Sequence, residues 1–157
     1  MKVFIPLPKK IPFTKLGYQA VLDEKKKLLV ERPDAVDNLR KAREMGDLSE
    51  NGYYKASRAK LSTLDARLRH LDRLIRFGKI VETANTGFVD IGSTVTMNDG
   101  TKDSTFTIVG GYESDPKNHT ISYLSPIGKA IMGKQKNESV EVVIPSGVAT
   151  YTITSIG

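Results

Sequence analysis

The sequence predicts an α+β protein in two parts: an antiparallel helical coiled-coil hairpin over residues 1–79, then a small antiparallel β-sheet domain with one short helix over 80–157. Three observations carry that prediction. Charge is split unevenly: residues 1–79 hold 19 Lys and Arg against 10 Asp and Glu, whereas 80–157 hold 5 against 8, so halves of +9 and −3 make up the net +6. Apolar residues recur at helical spacing only in the first half. Short alternating runs rich in β-branched residues occupy only the second.

Thr14 is a suitable N-cap, and the segment from there to about Met45 is rich in Leu, Lys, Glu and Ala, which favour helix. Pro33 lies inside it, and a proline that removes one backbone hydrogen bond predicts a bend or a fresh helix start near Arg32. The second helical segment is more regular: Tyr54, Ser57, Leu61, Leu64, Leu68, Leu71 and Ile75 follow the alternating three-and-four spacing of a coiled-coil seam. On the first segment Leu22, Leu29 and Val36 recur every seven residues, with Leu39 beyond, and are expected to face that seam. The short connection between the segments forces an antiparallel pair. At about 1.5 Å per residue, a helix of some 30 residues projects roughly 45 Å.

Between the segments, Gly46-Asp47-Leu48-Ser49-Glu50-Asn51 sets two carboxylates three residues apart at the tip of a basic rod. Helix capping explains the spacing on its own: Gly46 ends the first helix, Asp47 caps the second, and Glu50 at the third position reaches back to the cap. Metal binding is the other reading, since Mg²⁺ often takes one or two carboxylates and completes its octahedron with water and phosphate oxygens. The two are compatible, because a cap fixes the orientation that a ligand needs.

In the second half, strands are expected at Ser93–Met97, Thr105–Val109, Thr120–Leu124, Ser139–Ile144 and Thr150–Ile156. Asn98-Asp99-Gly100 and Pro145-Ser146-Gly147 supply turns, and Ser125-Pro126 opens a short helix that Gly133 closes. Gly110-Gly111 lacks the Lys-Ser/Thr of a phosphate loop and reads as a turn, and His119 has no second soft ligand beside it.

With no cysteine there is neither a disulfide framework nor a thiolate nucleophile. Met1 to Pro8 lacks the apolar core of a signal peptide, and no stretch approaches the roughly 18 apolar residues of a membrane span. A soluble, cytoplasmic, monomeric protein with no membrane partner is the expectation. The basic first half points to a polyanionic partner such as nucleic acid, or to an acidic protein surface.

An ordered series of matches then narrows the reading: Leu16-Gly17-Tyr18, Arg32-Pro33-Asp34, Ala42 to Asn51, Gly92-Ser93-Thr94-Val95, Asp115-Pro116, Ile121-Ser122-Tyr123 and Ser125-Pro126. Through them the chain resembles, from Ile11 onward, the Gre family of bacterial transcript cleavage and elongation factors, nearer the GreA type. The resemblance implies a coiled coil joined to a domain similar to the FK506-binding-protein fold. It implies docking on bacterial RNA polymerase, with the hairpin passed down the secondary channel towards the nascent RNA 3′ end. Asp47 and Glu50 match the family's acidic tip and would help hold a Mg²⁺ shared with the polymerase active site, none being bound stably by the free protein. The polymerase, not this chain, would then be the enzyme that hydrolyses backtracked RNA. Ser49 and Asn51 would orient water or RNA; Arg40, Lys41, Arg43, Lys55 and Arg58 would contact RNA phosphates or the channel; Asp115, Ser125 and Pro126 would take part in docking.

The chain departs from the family pattern at Gly52-Tyr53-Tyr54, where Ala-Glu usually precedes the aromatic residue, and at Leu124, commonly polar in relatives. Tyr53 supports a second reading, a channel-binding inhibitor without cleavage activity. Other classes are a peptidyl-prolyl isomerase or peptide-binding module in the second half, and direct RNA binding by the rod, which would be steeply salt-dependent.

Overall fold

A computed structural model describes residues 9–157. The signal-peptide reading of the first eight residues lies outside the described part. The elements run β1 (Ile11–Phe13), α1 (Lys15–Glu44), α2 (Gly52–Phe77), β2 (Gly78–Ile80), β3 (Thr94–Asn98), β4 (Asp103–Val109), β5 (Thr120–Ser122), α3 (Pro126–Ile131), β6 (Ser139–Ile144) and β7 (Gly147–Ile156). They form two compact units, Gln19–Phe77 and a second that joins the chain up to Tyr18 with Gly78–Gly157. The spatial division therefore differs from the change in composition near Ile80. The reason is that Ile11–Phe13 pairs in parallel with Gly78–Ile80, so this strand belongs to the sheet unit.

In the helical unit α1 and α2 pair antiparallel, as expected. Ala35, Leu64 and Leu68 form the buried centre of the pair, with Leu28 and Leu61 packed against them. The α2 seam predicted from spacing is present, with Ser57, Leu64, Leu68 and Leu71 buried and Tyr54, Leu61 and Ile75 partly buried; Leu74 joins it. The α1 seam is one residue away from the expected one. Val21, Leu28, Ala35 and Ala42 recur every seven residues and turn inward, leaving Leu29 49% and Val36 41% exposed. The sequence reading favoured the larger apolar side chains, whereas alanines let the two backbones approach and accept the α2 leucines between them.

Pro33 does not divide the segment: α1 is a single 30-residue helix with the proline inside it. Contacts on either side offset the missing hydrogen bond. Ala35 is 3% exposed against α2, and Arg32 Nε donates to Asp65 Oδ1 at 2.7 Å across the pair. Arg67 with Glu24 and Lys25 with Asp72 add two further cross-helix ion pairs at 2.6 and 2.7 Å.

In the sheet unit, five strands lie in the order β5-β4-β3-β7-β6. All neighbours are antiparallel except β4 and β5, which run parallel and are joined through residues 110–119, a connection that ends in the 3₁₀ turn Pro116–Asn118. Val89, Val95, Met97, Ile108, Ile131, Val140, Val142 and Ile153 fill the core, with α3 supplying Ile131. β6 matches its predicted bounds, the other strands differ by a few residues at their ends, and the two short strands β1 and β2 were not foreseen. Three residues each are too few to show a pattern, and they exist only through their mutual pairing.

Candidate functional site

The tip is built from the end of α1. Gly46 adopts φ +109°, a conformation that side-chain-bearing residues rarely take, and turns the chain away from the helix that ends at Glu44. The cap of α2 is Asn51, not Asp47 with Glu50 as the spacing suggested. Asn51 Oδ1 accepts from Tyr54 N at 3.0 Å while its Nδ2 donates to the Ala42 carbonyl at 2.9 Å, so one amide starts α2 and satisfies the end of α1. The helix begins at Gly52, five residues after Asp47, too far on for Asp47 to reach its first amides. Asparagine is among the favoured N-cap residues, and its place immediately before the helix is the sequence signal for this cap.

Released from capping α2, Asp47 shapes the turn. Its Oδ1 accepts from Ser49 N at 2.9 Å and from Ser49 Oγ at 2.8 Å. Those two donors, the backbone amide first, hold the Asp47 carboxyl below its ordinary 3.8. Ser49 is thereby occupied in orienting Asp47, and both ends of the Asn51 amide are engaged within the turn. Glu50 is exposed and has no hydrogen-bond or ion-pair partner among the described residues. Two exposed carboxylates on one short turn therefore remain, one oriented and one open.

Among the described residues no group of three or more His, Cys, Asp and Glu could enclose a metal ion. The donor chemistry fits a hard cation only as a partial set, two carboxylates whose remaining ligands another molecule must supply. His119, in the left-handed conformation at φ 52°, closes the 3₁₀ turn.

Comparison with known proteins identifies the family. A family model described as "Transcription elongation factor, N-terminal" matches residues 11–80, and one described as "Transcription elongation factor, GreA/GreB, C-term" matches 83–157. Transcription elongation factor GreA of Cereibacter sphaeroides is 38% identical over 152 residues, covering 94% of this chain and 97% of that protein. The GreA protein of Desulfovibrio desulfuricans is 35% identical over 150 residues, 93% of each chain. The chain belongs to the GreA/GreB family of transcription elongation factors. A solved structure of GreA factor homolog 1 (Gfh1) of Thermus thermophilus aligns with 95% of this chain and 99% of that one, at 20% identity and a TM-score of 0.46.

The five cations expected near the tip of this Gre protein divide into two groups. Arg40 pairs with Asp37 at 2.7 Å and Glu44 at 2.9 Å, and Lys41 pairs with Asp37 at 2.7 Å. These contacts raise both cations' pKa values and lower that of Asp37, and all of them join neighbours on one helix face. Arg43, Lys55 and Arg58 are exposed and have no ion-pair partner among the described residues. Of the five, these three are the cations without an internal counter-charge. Tyr53, which motivated the inhibitor reading, has its hydroxyl 3.5 Å from Asn38 Oδ1 on α1, along the flank of the hairpin.

In the C-terminal part of the Gre protein, the three expected docking residues all terminate or start local structure. Asp115 caps the 3₁₀ turn, accepting from Lys117 N at 3.0 Å and Asn118 Nδ2 at 2.8 Å. Ser125 Oγ caps α3 by accepting from Gly128 N at 3.0 Å, and Pro126 follows at the helix start. Leu124, 51% exposed, leaves an apolar side chain beside Ser125. No described helix is long and apolar enough to cross a membrane.

Proposed function

We propose that this protein is a transcript-cleavage stimulator of the GreA type. It acts in the bacterial cytoplasm, as a monomer, on RNA polymerase holding a backtracked nascent RNA. The observation that carries this reading is the tip turn, where Asp47 is oriented by Ser49 and Glu50 is left without an internal partner. Family membership supports it.

In this reading the chain is not an enzyme by itself. Asp47 and Glu50 would share in holding a Mg²⁺ whose other ligands belong to the polymerase and the RNA. Such an ion, when bound, supplies Lewis-acid activation of water for phosphodiester hydrolysis. The hairpin carries the two carboxylates on a narrow support. Ser49 keeps the Asp47 carboxylate aimed, and Asn51 ties the turn to the end of α1. Arg43, Lys55 and Arg58 would offset the charge of the RNA backbone near the tip. Asp115, Ser125 and Pro126 lie on the unit that would dock at the channel rim, with Leu124 adding apolar contact.

The test is RNA cleavage by halted, backtracked bacterial polymerase with and without the protein. Wild type should accelerate cleavage, and Asp47→Asn/Glu50→Gln should not. Full stimulation by the double variant, or none by wild type, would sink the reading. Slower elongation without cleavage would instead support the inhibitor reading.

A further inference from the structure

One carboxylate far from the tip in sequence accepts on both oxygens from two separate parts of the chain. Glu113 accepts hydrogen bonds at Oε2 from Thr14 N at 3.0 Å and from Gly110 N at 2.7 Å, and at Oε1 from the Thr14 hydroxyl. Thr14 Oγ1 in turn accepts from Gly17 N at 3.0 Å, capping the first turn of α1. Thr14 and Glu113 are 99 residues apart in the chain, yet one carboxylate ties the root of α1 to the loop after β4.

Two glycines make room for it. A Cβ at Gly17 would lie 1.6 Å from Glu113 Oε1, and one at Gly110 would lie 2.2 Å from Oε2 and 2.4 Å from the Pro12 carbonyl. The backbone hydrogen bond from Val81 N to Phe13 O, 2.8 Å, closes the next residue of the same root. Thr14, Gly17, Gly110 and Glu113 therefore form one clamp, and charged hydrogen bonds of this kind are about twice as strong as neutral ones. The clamp loop continues directly into Asp115, one of the residues assigned to docking above.

We infer that Glu113 is a positioning residue for the tip: its carboxylate clamps the root of the helix that carries Asp47 and Glu50, through Thr14. The inference rests on the cleavage-stimulation reading. It assigns the loop Gly110–Asp115 two tasks at once, contact with polymerase at its end and retention of α1 at its middle.

The experiment uses the full-length protein as Glu113→Gln and Gly17→Ala, two changes that attack the clamp from opposite sides. Amide hydrogen exchange at Thr14, Gly17 and Gly110 should quicken about tenfold in both, while amides in the middle of α2 keep their protection. In the polymerase assay the maximal cleavage rate should fall about fivefold, with the half-saturating concentration of factor within about twofold of wild type. A merely destabilised protein would raise the half-saturating concentration instead, and that outcome overturns the positioning role. Unchanged exchange in both variants overturns the clamp. Wild-type stimulation matched by both variants overturns the positioning role alone, whereas an inactive wild type sinks the cleavage reading and leaves exchange to decide whether the clamp exists.

Discussion

The two ends of α1 handle carboxylates in opposite ways. At the root, Glu113 is surrounded by the Thr14 amide and hydroxyl and the Gly110 amide, and glycines clear the space it fills. At the tip, Asp47 accepts only from Ser49, two residues away, and Glu50 has no partner among the described residues. A carboxylate whose two oxygens both accept from the surrounding chain holds structure together and has little left for a ligand. One held in place by a local turn, with its second oxygen open, can serve a site that a different molecule completes. The contrast separates a carboxylate engaged on both oxygens from carboxylates left open to solvent.

The sharpest way to break the comparison is to remove the tip charges without touching the fold. Asp47→Asn/Glu50→Gln should lower polymerase-dependent cleavage by at least about 100-fold. Because both side chains are exposed, its urea unfolding midpoint should match wild type; a large loss of stability would mean that the tip is structural after all.

Removing the root carboxylate should do the reverse to stability. Glu113→Ala leaves the Thr14 and Gly110 amides without their acceptor and is expected to cost about 2–3 kcal/mol by urea denaturation, whereas Glu50→Ala should stay within about 0.5 kcal/mol. Equal effects of the two would erase the distinction drawn here.

Between the ends, the seam offers a third contrast. Ala42 is fully buried where α1 meets α2, so Ala42→Leu should cost about 1–3 kcal/mol through overpacking, while Leu29→Ala on the exposed side should be nearly neutral. The opposite ranking would restore the seam read from spacing.

Smaller effects test the turn itself. Asn51→Ala removes the α2 cap and the bridge to Ala42, and should cost about 1 kcal/mol with partial loss of cleavage stimulation. Ser49→Ala should move the Asp47 midpoint, followed by NMR, back up towards 3.8. The sign follows from the depressed pKa: the Ser49 contacts favour the charged form, so their contribution is present above the ordinary Asp pKa and disappears as pH falls through the lowered one. An unmoved midpoint would show that the Ser49 hydroxyl does not donate to Asp47 in solution, the backbone amide being left in place by the substitution.

Much of this protein is legible in its sequence because the relevant interactions are local. The α2 seam is a repeating pattern along one helix, the turns at Asn98-Asp99-Gly100 and Ser125-Pro126 are specified by adjacent residues, and the acidic tip stands out against a basic background. Spacing left capping and metal binding both open at the tip; the structure places the cap at Asn51, and metal binding is part of the proposed function.

Tertiary structure decided the rest. Which face of α1 turns inward depends on how closely α2 can approach, so Ala35 and Ala42 displaced Leu29 and Val36 from the seam. The cap at Asn51 depends on the Ala42 carbonyl lying within reach across the turn. The Gly110 amide three residues away gives no sign of the role of Glu113, since Thr14, the partner that makes it a clamp, lies 99 residues earlier and β1 exists only by pairing with β2. Patterns along a helix or turn are written in neighbouring residues, whereas a carboxylate becomes either a clamp or an open ligand according to the donors that the fold brings to it.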